Sequence, residues 1–291
     1  MTFQAAASSP SPDPTSVARA FVQARRTAVA LDAFPGGQIP ADLAAGYACQ
    51  DVAIGLWGEE IAGWKVGRIP DDLQAELGAE RVAGPIFPGR VWRAGDGPVI
   101  LPVIPGGFAA VEAEYVFRIG EDAPAGKTDW TVEEALMLVE DELVGVELAG
   151  SPLATINVLG PKVVASDFGN NAGLVLGASI PNWRERNDDW PPCETFIDGI
   201  SVGRGAPSSI PGSPAAALVF LLGVCAARGR PLKRGQLVST GAATGIHDIE
   251  AGQTARITFE GLGEIRCIAQ IAQPEEGLGG NKDEFSHPRQ S

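Results

Sequence analysis

The sequence predicts an α+β fold in which a small helical N-terminal cap precedes a β-rich core. Residues 15–62 contain stretches with helical periodicity, whereas residues 63–272 contain short β-rich runs that alternate with Gly and Pro. The helical stretches do not alternate strictly with the β-rich runs, which argues against a doubly wound nucleotide-binding fold. We therefore expect a cap over 15–62 and a core over 63–272, with loose tails at 1–14 and 273–291.

Four helices are predicted from periodicity and from residues typical of helix ends. They cover about residues 17–31, 42–56, 131–143 and 213–229. Ser16 is the expected N-cap of the first helix, and Thr131 with Glu134 forms a capping box at the third. Ser213 is the expected N-cap of the fourth helix and Gly229 its C-cap.

The β-rich runs have the length and spacing of strands joined by turns and longer loops. They read GWKVG, VAGPIF, VWRA, GPVILPVI, VEAEYVFRI, LVGVELAG, NAGLVLGA, TFIDGISVG, GQLVSTGAA and ARITFEGLGEIRCIAQIA. Together they predict a sheet-rich core that is large enough to position a functional site.

Charge and composition exclude several functional classes. The 291 residues carry a formal net charge of −14, and such an acidic chain repels nucleic acid and anionic membranes. The longest apolar run, residues 215–227, is shorter than the roughly 20 residues of a membrane span. The N-terminus lacks the features of a signal peptide, and the four cysteines form no CxxC pair. We expect a protein of the reducing cytoplasm with a small-molecule ligand.

Three glutamates are the strongest candidates for chemistry. Strand alternation places Glu112 and Glu114 on one face of the run VEAEYVFRI, roughly 6.6 Å apart. Glu147 interrupts another apolar run, and a buried acid there must be paired or ligated. Such a set favours a hard divalent cation, Mg²⁺ or Mn²⁺, over zinc. The alternatives are a solvent-facing edge strand for the first two residues and a plain salt bridge for the third.

Lys65 lies between Trp64 and Val66 in the segment GWKVG. Two interpretations are open. The lysine is either a surface residue whose ammonium group extends into water, or a partly buried residue suited to ligand binding or proton transfer.

The order of the motifs resembles the fumarylacetoacetate hydrolase superfamily, and within it the branch of 2-keto-4-pentenoate hydratases and oxalocrotonate decarboxylases. The resemblance covers about residues 41–270. It rests on GWKVG, GPIF, VEAEYVF, VGVELAGSP, SDFGNNAGLVLG, LVSTGAATG and AGQTARITFEGLG in this order.

The resemblance implies a fold, a metal site and a set of residue roles. The core would be a mixed β-roll, and the protein a homo-oligomer that in some pathways forms a complex with a partner enzyme. Glu112, Glu114 and Glu147 would hold one Mg²⁺ or Mn²⁺, and Lys65 would act in catalysis. The implied substrate-binding residues are Phe87, Asn170, Asn171 and Thr244.

The implied activity is that of a metal-dependent lyase, a hydratase or decarboxylase of aromatic catabolism. Its substrate would be a 2-oxo or 2-hydroxydienoic acid that reacts through a metal-stabilised enolate. Two departures from the branch are Pro88-Gly89-Arg90 after GPIF and Gly150 after Glu147. The first puts hydration in doubt and suggests that Arg90 binds a second carboxylate of the substrate.

Two other functions stay open. One is a C–C bond hydrolase that acts on an acylpyruvate, and the other is a non-catalytic partner subunit of the same fold. The sequence has only His247 and His287, and no histidine precedes Glu112. Relatives that hydrolyse acylpyruvates generally use such a histidine to activate water, so the sequence favours the lyase.

Overall fold

The computed structural model describes residues 12–275. Its helices are α1 (Pro14–Thr27), α2 (Leu43–Trp57), α3 (Asp71–Leu77), α4 (Val132–Met137), α5 (Ile156–Leu159), α6 (Pro161–Ser166) and α7 (Ser213–Ala227). Its strands are β1 (Gly63–Arg68), β2 (Arg81–Ile86), β3 (Val91–Arg93), β4 (Val99–Val103), β5 (Phe108–Ile119), β6 (Val139–Ser151), β7 (Asn171–Ser179), β8 (Cys193–Ile197), β9 (Ile200–Gly205), β10 (Leu237–Ser239), β11 (His247–Asp248), β12 (Thr254–Phe259) and β13 (Gly263–Ile271).

The strands form two mixed sheets. The larger sheet has the order β2-β1-β10-β5-β6-β7-β3, and β11 pairs with one end of β5. The smaller sheet has the order β4-β13-β12-β8-β9. Strands β5 and β6 pair antiparallel along almost their whole length and lie in the interior of the larger sheet. Side chains on these strands are therefore shielded from water on both faces, which explains their long apolar runs.

Apolar side chains pack against the larger sheet in several clusters. Val111, Ala113 and Tyr115 of β5 pack against the smaller sheet in one cluster. Phe117 and Ile119 pack with residues of α7 in a second cluster. A third cluster joins α1, α2 and α6. This packing holds β5 and β6 rigidly, so polar groups on them have fixed positions.

The N-terminal helices begin close to the predicted positions, but the cap of α1 differs. Asp13, and not Ser16, is the N-cap, and its carboxylate accepts hydrogen bonds from the backbone N–H groups of Thr15 and Ser16. The helix starts at Pro14, which suits the first turn because proline lacks an N–H group. It ends at Thr27, four residues before the predicted end.

The predicted helix over 131–143 is also too long. The capping box of Thr131 and Glu134 is present, but α4 ends at Met137 and β6 begins at Val139. Pairing with β5 stabilises the extended form of the segment 139–143 and overrides its local helical pattern. In α7 the N-cap is Gly212 and the C-cap Arg228, each one residue before the predicted cap.

The fold class is the predicted one: a few helices at the N-terminus followed by a mixed β-roll. None of the helices within residues 12–275 combines the length and apolar composition of a membrane span. All four cysteines fall in this range and are buried free thiols. Most of both predicted tails lies outside the described residues, although Pro14 belongs to α1. The division into cap and core stays a prediction.

Candidate metal centre

Three carboxylates meet on one face of the paired strands β5 and β6. Glu112 is directly opposite Glu147 in the antiparallel register, and Glu114 follows two residues along the same face of β5. One carboxylate oxygen from each residue lies within 4.8 Å of one from each of the others. We call Glu112, Glu114 and Glu147 the acidic trio. Because β5 is an interior strand, the predicted alternative of a solvent-facing edge strand is wrong.

The acidic trio is buried and only partly hydrogen-bonded. Glu114 accepts a hydrogen bond from the backbone N–H of Gly241 at 2.7 Å, and Glu147 accepts one from the Asn171 side chain at 2.9 Å. Each member nevertheless keeps one buried oxygen without a hydrogen-bond partner: Glu112 Oε1, Glu114 Oε1 and Glu147 Oε2. Buried polar atoms in proteins are nearly always satisfied, so three such oxygens in one place fit the ligand set of a cation. Oxygen ligands of this kind suit Mg²⁺, Mn²⁺ or Ca²⁺.

The pKa values of the trio show that burial disfavours the charged form of each carboxyl group. Burial raises the pKa of Glu112 from 4.5 to about 7, with the attraction of Lys65 lowering it and the repulsion of Glu147 adding to it. Burial and the charges of Glu147 and Glu112 raise the pKa of Glu114 well above its ordinary value. Burial also raises the pKa of Glu147. A divalent cation would remove the repulsion and keep all three groups ionised.

Lys65 is the buried cation next to the trio. Its Nζ donates a hydrogen bond to Asn170 Oδ1 at 3.0 Å and lies 3.5 Å from Glu147 Oε1. Burial lowers the pKa of Lys65, but the attraction of Glu147, Glu112 and Glu114 outweighs it, so the pKa is raised. Of the two interpretations of the sequence, the buried one is therefore correct. The predicted salt bridge of Glu147 exists as well, inside the site.

The consecutive asparagines Asn170 and Asn171 hold different parts of the site. Asn170 has a left-handed backbone (φ 57°) and links Lys65 to Asn157, whose Oδ1 accepts its amide N–H at 3.0 Å. Asn171 begins β7 and orients Glu147. The turn before them packs closely on β2, because a Cβ on Gly84 would lie 1.9 Å from the Phe168 carbonyl oxygen. Only glycine fits there, which accounts for the first residue of the GPIF motif.

A large cavity of about 540 Å³ opens beside the trio. Lys65, Glu112 and Asn170 line it on the side of the trio. The loop after β10 lines it through Thr240 and Gly241. A small acid in this cavity would therefore meet a lysine, an amide and one carboxylate of the trio.

Comparison with known proteins identifies similar sequences and similar folds. The chain is 27% identical over 237 residues to "2-keto-4-pentenoate hydratase 2" of Dechloromonas aromatica, a match that covers 78% of this chain and 86% of that protein. A 4-oxalocrotonate decarboxylase of Pseudomonas putida G7, complexed with magnesium and adipate, superposes with a TM-score of 0.72. The superposition covers 89% of this chain and 97% of the decarboxylase at 18% identity.

A yeast protein of the fumarylacetoacetate hydrolase family superposes with a TM-score of 0.50 at 12% identity, over 72% of this chain and 93% of the yeast protein. The chain has the fumarylacetoacetate hydrolase fold. The resemblance predicted from the ordered motifs is thus confirmed. No protein-family model matches the sequence.

Two of the predicted substrate residues lie elsewhere in this fumarylacetoacetate hydrolase fold. Phe87 stacks on Trp57 with ring centroids 5.3 Å apart, and both line a small cavity of about 60 Å³. Arg90 lines the same small cavity, and its Nη2 lies 3.8 Å from Glu275 Oε1. Neither residue lines the large cavity beside the trio. Arg90 ends the short 3₁₀ turn Pro88–Arg90, and its role in substrate binding stays a prediction.

Thr244 is likewise not among the residues that line the large cavity. Its hydroxyl is 2.8 Å from the Thr195 hydroxyl and 3.2 Å from His247 Nε2. Thr240, four residues earlier in the same motif, lines the large cavity instead. His247 also bonds the Thr244 carbonyl and is not among the lining residues. The other histidine, His287, lies outside the described residues.

Sequence reasoning missed several residues that complete the site. The site includes hydrogen bonds of Gly241 and Asn157, and Arg81 lines the large cavity. No local sequence pattern indicates that these residues belong to the site. The motif LVSTGAATG pointed to a loop that lines the large cavity through Thr240, and the role of Thr244 stays a prediction. Arg81 is the first residue of β2. It lines the large cavity because β2 pairs with β1, and the local sequence does not indicate this pairing.

Proposed function

We propose that the protein is a divalent-metal-dependent lyase, a hydratase or a decarboxylase, that acts on a 2-oxo or 2-hydroxydienoic acid. The observation that carries this proposal is the acidic trio with its three unpartnered oxygens beside a cavity that also contains Lys65. The hydratase and decarboxylase relatives support the same reaction class.

Glu112, Glu114 and Glu147 would hold Mg²⁺ or Mn²⁺. The bound cation would supply Lewis-acid stabilisation of the negative charge that develops on the substrate. Gly241 and Asn171 each occupy one oxygen of the trio, which leaves the unpartnered oxygens for the ion. The protein's own contribution is to hold three like charges close together before the cation arrives.

Lys65 is the proposed catalytic residue. Its ammonium group is fixed by Asn170 and faces the large cavity, where it would hold the substrate carboxylate or pass a proton to the reacting carbon. Asn170 lines the same cavity and would contact the substrate through its side-chain amide.

Hydration and decarboxylation of a 2-oxo acid both need stabilisation of negative charge beside the keto group. The same constellation therefore supports either outcome, and the substrate decides between them. We also propose that the protein is a cytoplasmic homo-oligomer, an expectation that the four buried free thiols support for the compartment.

Isothermal titration calorimetry with Mg²⁺ and Mn²⁺ tests the proposal, with and without oxalate as a mimic of a 2-oxo acid enolate. The wild type should bind the metal, oxalate should tighten the binding, and Glu114→Gln should lose both effects. Glu140→Gln is the matched control, because Glu140 is an exposed glutamate on β6. A wild type that binds neither ion, or a Glu114→Gln variant that binds like the wild type, would contradict the proposed metal site.

A further inference from the structure

The large cavity has an unequal distribution of charge. Among its lining residues in the described range, the cations are Lys65, Arg68 and Arg81, and the anion is Glu112. Lys65 and Glu112 belong to the site at the trio. The two arginines form a second positive region whose function the metal site does not explain.

The position of the arginines follows from the register of β1 and β2. Arg68 is paired with Arg81, and Lys65 is paired with Gly84. Arg68 therefore lies three residues along β1 from Lys65, or roughly 10 Å at the rise of a strand. Both arginines therefore lie at the end of the β1–β2 pair remote from Lys65, and both line the cavity that Lys65 and Glu112 also line.

Arg81 is the better placed of the two for binding an anion. Its side chain is 9% exposed, whereas that of Arg68 is 51% exposed and pairs with Asp71 at 2.5 Å. The Pro211 carbonyl accepts one hydrogen bond from the Arg81 guanidinium and fixes its orientation. Together the described contacts with Glu80 and Pro211 occupy two of the five N–H donors of that group.

The charge of Arg81 has no buried partner among the described residues. Its ion pair is with Glu80, at 3.2 Å, and the Glu80 side chain is 72% exposed. An exposed carboxylate is screened by water and is a weak partner. A ligand carboxylate inside the cavity would be shielded from water and would form a stronger, directional pair with the guanidinium.

We propose that Arg81 is a specificity-determining residue that binds the distal carboxylate of a dicarboxylic 2-oxo acid. This inference rests on the proposed function, because the trio and Lys65 must hold the 2-oxo acid end of the same molecule. The sequence suggested Arg90 as the residue that binds a second carboxylate, and this inference assigns that role to Arg81 instead. The preferred substrate would then carry negative charge at both ends.

Binding of 2-oxoadipate and 2-oxohexanoate in the presence of Mg²⁺ tests this inference, because these probes differ only in the distal carboxylate. Calorimetry on the wild type should show a preference for 2-oxoadipate of about 10- to 100-fold, as expected for a hydrogen-bonded charge. Arg81→Gln should reduce the ratio of affinities to near one, and Arg81→Lys should give an intermediate ratio. Arg93→Gln, an exposed arginine outside the large cavity, should keep the wild-type ratio.

The inference is overturned if the wild type shows no preference, or if the preference survives Arg81→Gln. Mg²⁺ binding by Arg81→Gln is measured in parallel to detect loss of the fold. If Arg81→Gln is misfolded, the ratio of affinities of Arg81→Lys tests the inference instead. Turnover of 2-hydroxypenta-2,4-dienoate and of the corresponding dienedioate by the wild type tests the proposed function separately. An Arg81-dependent preference without turnover of either acid would overturn the lyase proposal and leave the anion subsite standing.

Discussion

Glu112 and Glu147 occupy directly opposed positions of two antiparallel interior strands, so two buried carboxylates share one face of the sheet without an intervening side chain. Cross-strand neighbours of like charge destabilise a sheet. Glu114 adds a third charge to the same face. Repulsion among these three carboxylates therefore destabilises the folded protein when no cation is bound.

The stability of the metal-free protein should decrease as the pH rises. The folded pKa of Glu112 is raised from 4.5 to about 7, so its contribution to the free energy of unfolding is fully present below 4.5 and is lost as the pH rises to about 7. The pKa values of Glu114 and Glu147 shift in the same direction. Urea unfolding in EDTA across this range measures the effect.

Glu112→Gln is the control for this pH dependence, because the amide does not titrate. The difference in unfolding free energy between the wild type and the variant isolates the carboxyl group from the other titrating residues. With saturating Mg²⁺ the wild type should instead gain stability as the pH rises, because the ion binds deprotonated carboxylates. A metal-free wild type that is stabilised relative to Glu112→Gln as the pH rises would contradict the prediction.

Replacement of Lys65 should separate metal binding from turnover. Lys65→Met removes the cation 3.5 Å from Glu147 Oε1, so the trio should bind Mg²⁺ at least as tightly as in the wild type. The turnover number should fall by at least ~100-fold, because the ammonium group is the proposed proton carrier. Lys233→Met, an exposed lysine, is the control. Parallel loss of metal affinity and turnover would instead assign Lys65 a structural role.

The adjacent asparagines should have different effects on substitution. Asn171→Ala releases Glu147, so Mg²⁺ affinity should fall by about 10- to 100-fold, as for other residues that orient metal ligands. Asn170→Gly removes the contact with Lys65 but suits the left-handed backbone, so metal affinity should stay near the wild-type value while turnover decreases. Calorimetry and steady-state kinetics on both variants check this, and equal effects on metal affinity would contradict it.

Arg25 should be important for stability. Its guanidinium forms two hydrogen bonds with the buried Asp167 carboxylate, at 2.6 and 2.9 Å, and donates to the carbonyl groups of Gly150 and Asn171. Arg25→Met leaves a buried carboxylate unpaired, which should lower the free energy of unfolding by about 3–5 kcal/mol. Urea unfolding measures the loss, with Arg19→Met on the exposed face of α1 as control. A loss no larger than that of the control would show that the pair contributes nothing.

The sequence was most informative where a local pattern also decides the tertiary environment. The two-residue period placed Glu112 and Glu114 together, and the apolar neighbours of Glu147 indicated its burial. Phe87 and Arg90 line a different, smaller cavity, which no periodicity could indicate, and their role in substrate binding stays a prediction.

Other features of the site depend on contacts between distant segments. Arg81 enters the large cavity through strand pairing, and Gly241 reaches Glu114 across 127 positions of the chain. No local propensity encodes such contacts. The end of α4 was misplaced for the same reason, since pairing with β5 decides the conformation of residues 139–143.

The pairing of β1 with β10 has a consequence for folding kinetics. Lys65 is held in the sheet beside Ser239, so a segment near the beginning of the chain is positioned by one near its end. During synthesis, a nascent chain that ends before residue 237 contains every ligand of the trio but lacks the strand that joins β1 to β5. Contacts of such large sequence separation form late and slowly. The lysine and the trio should therefore come together only after β10 has been synthesised, and the rate of that step should limit the appearance of activity during refolding.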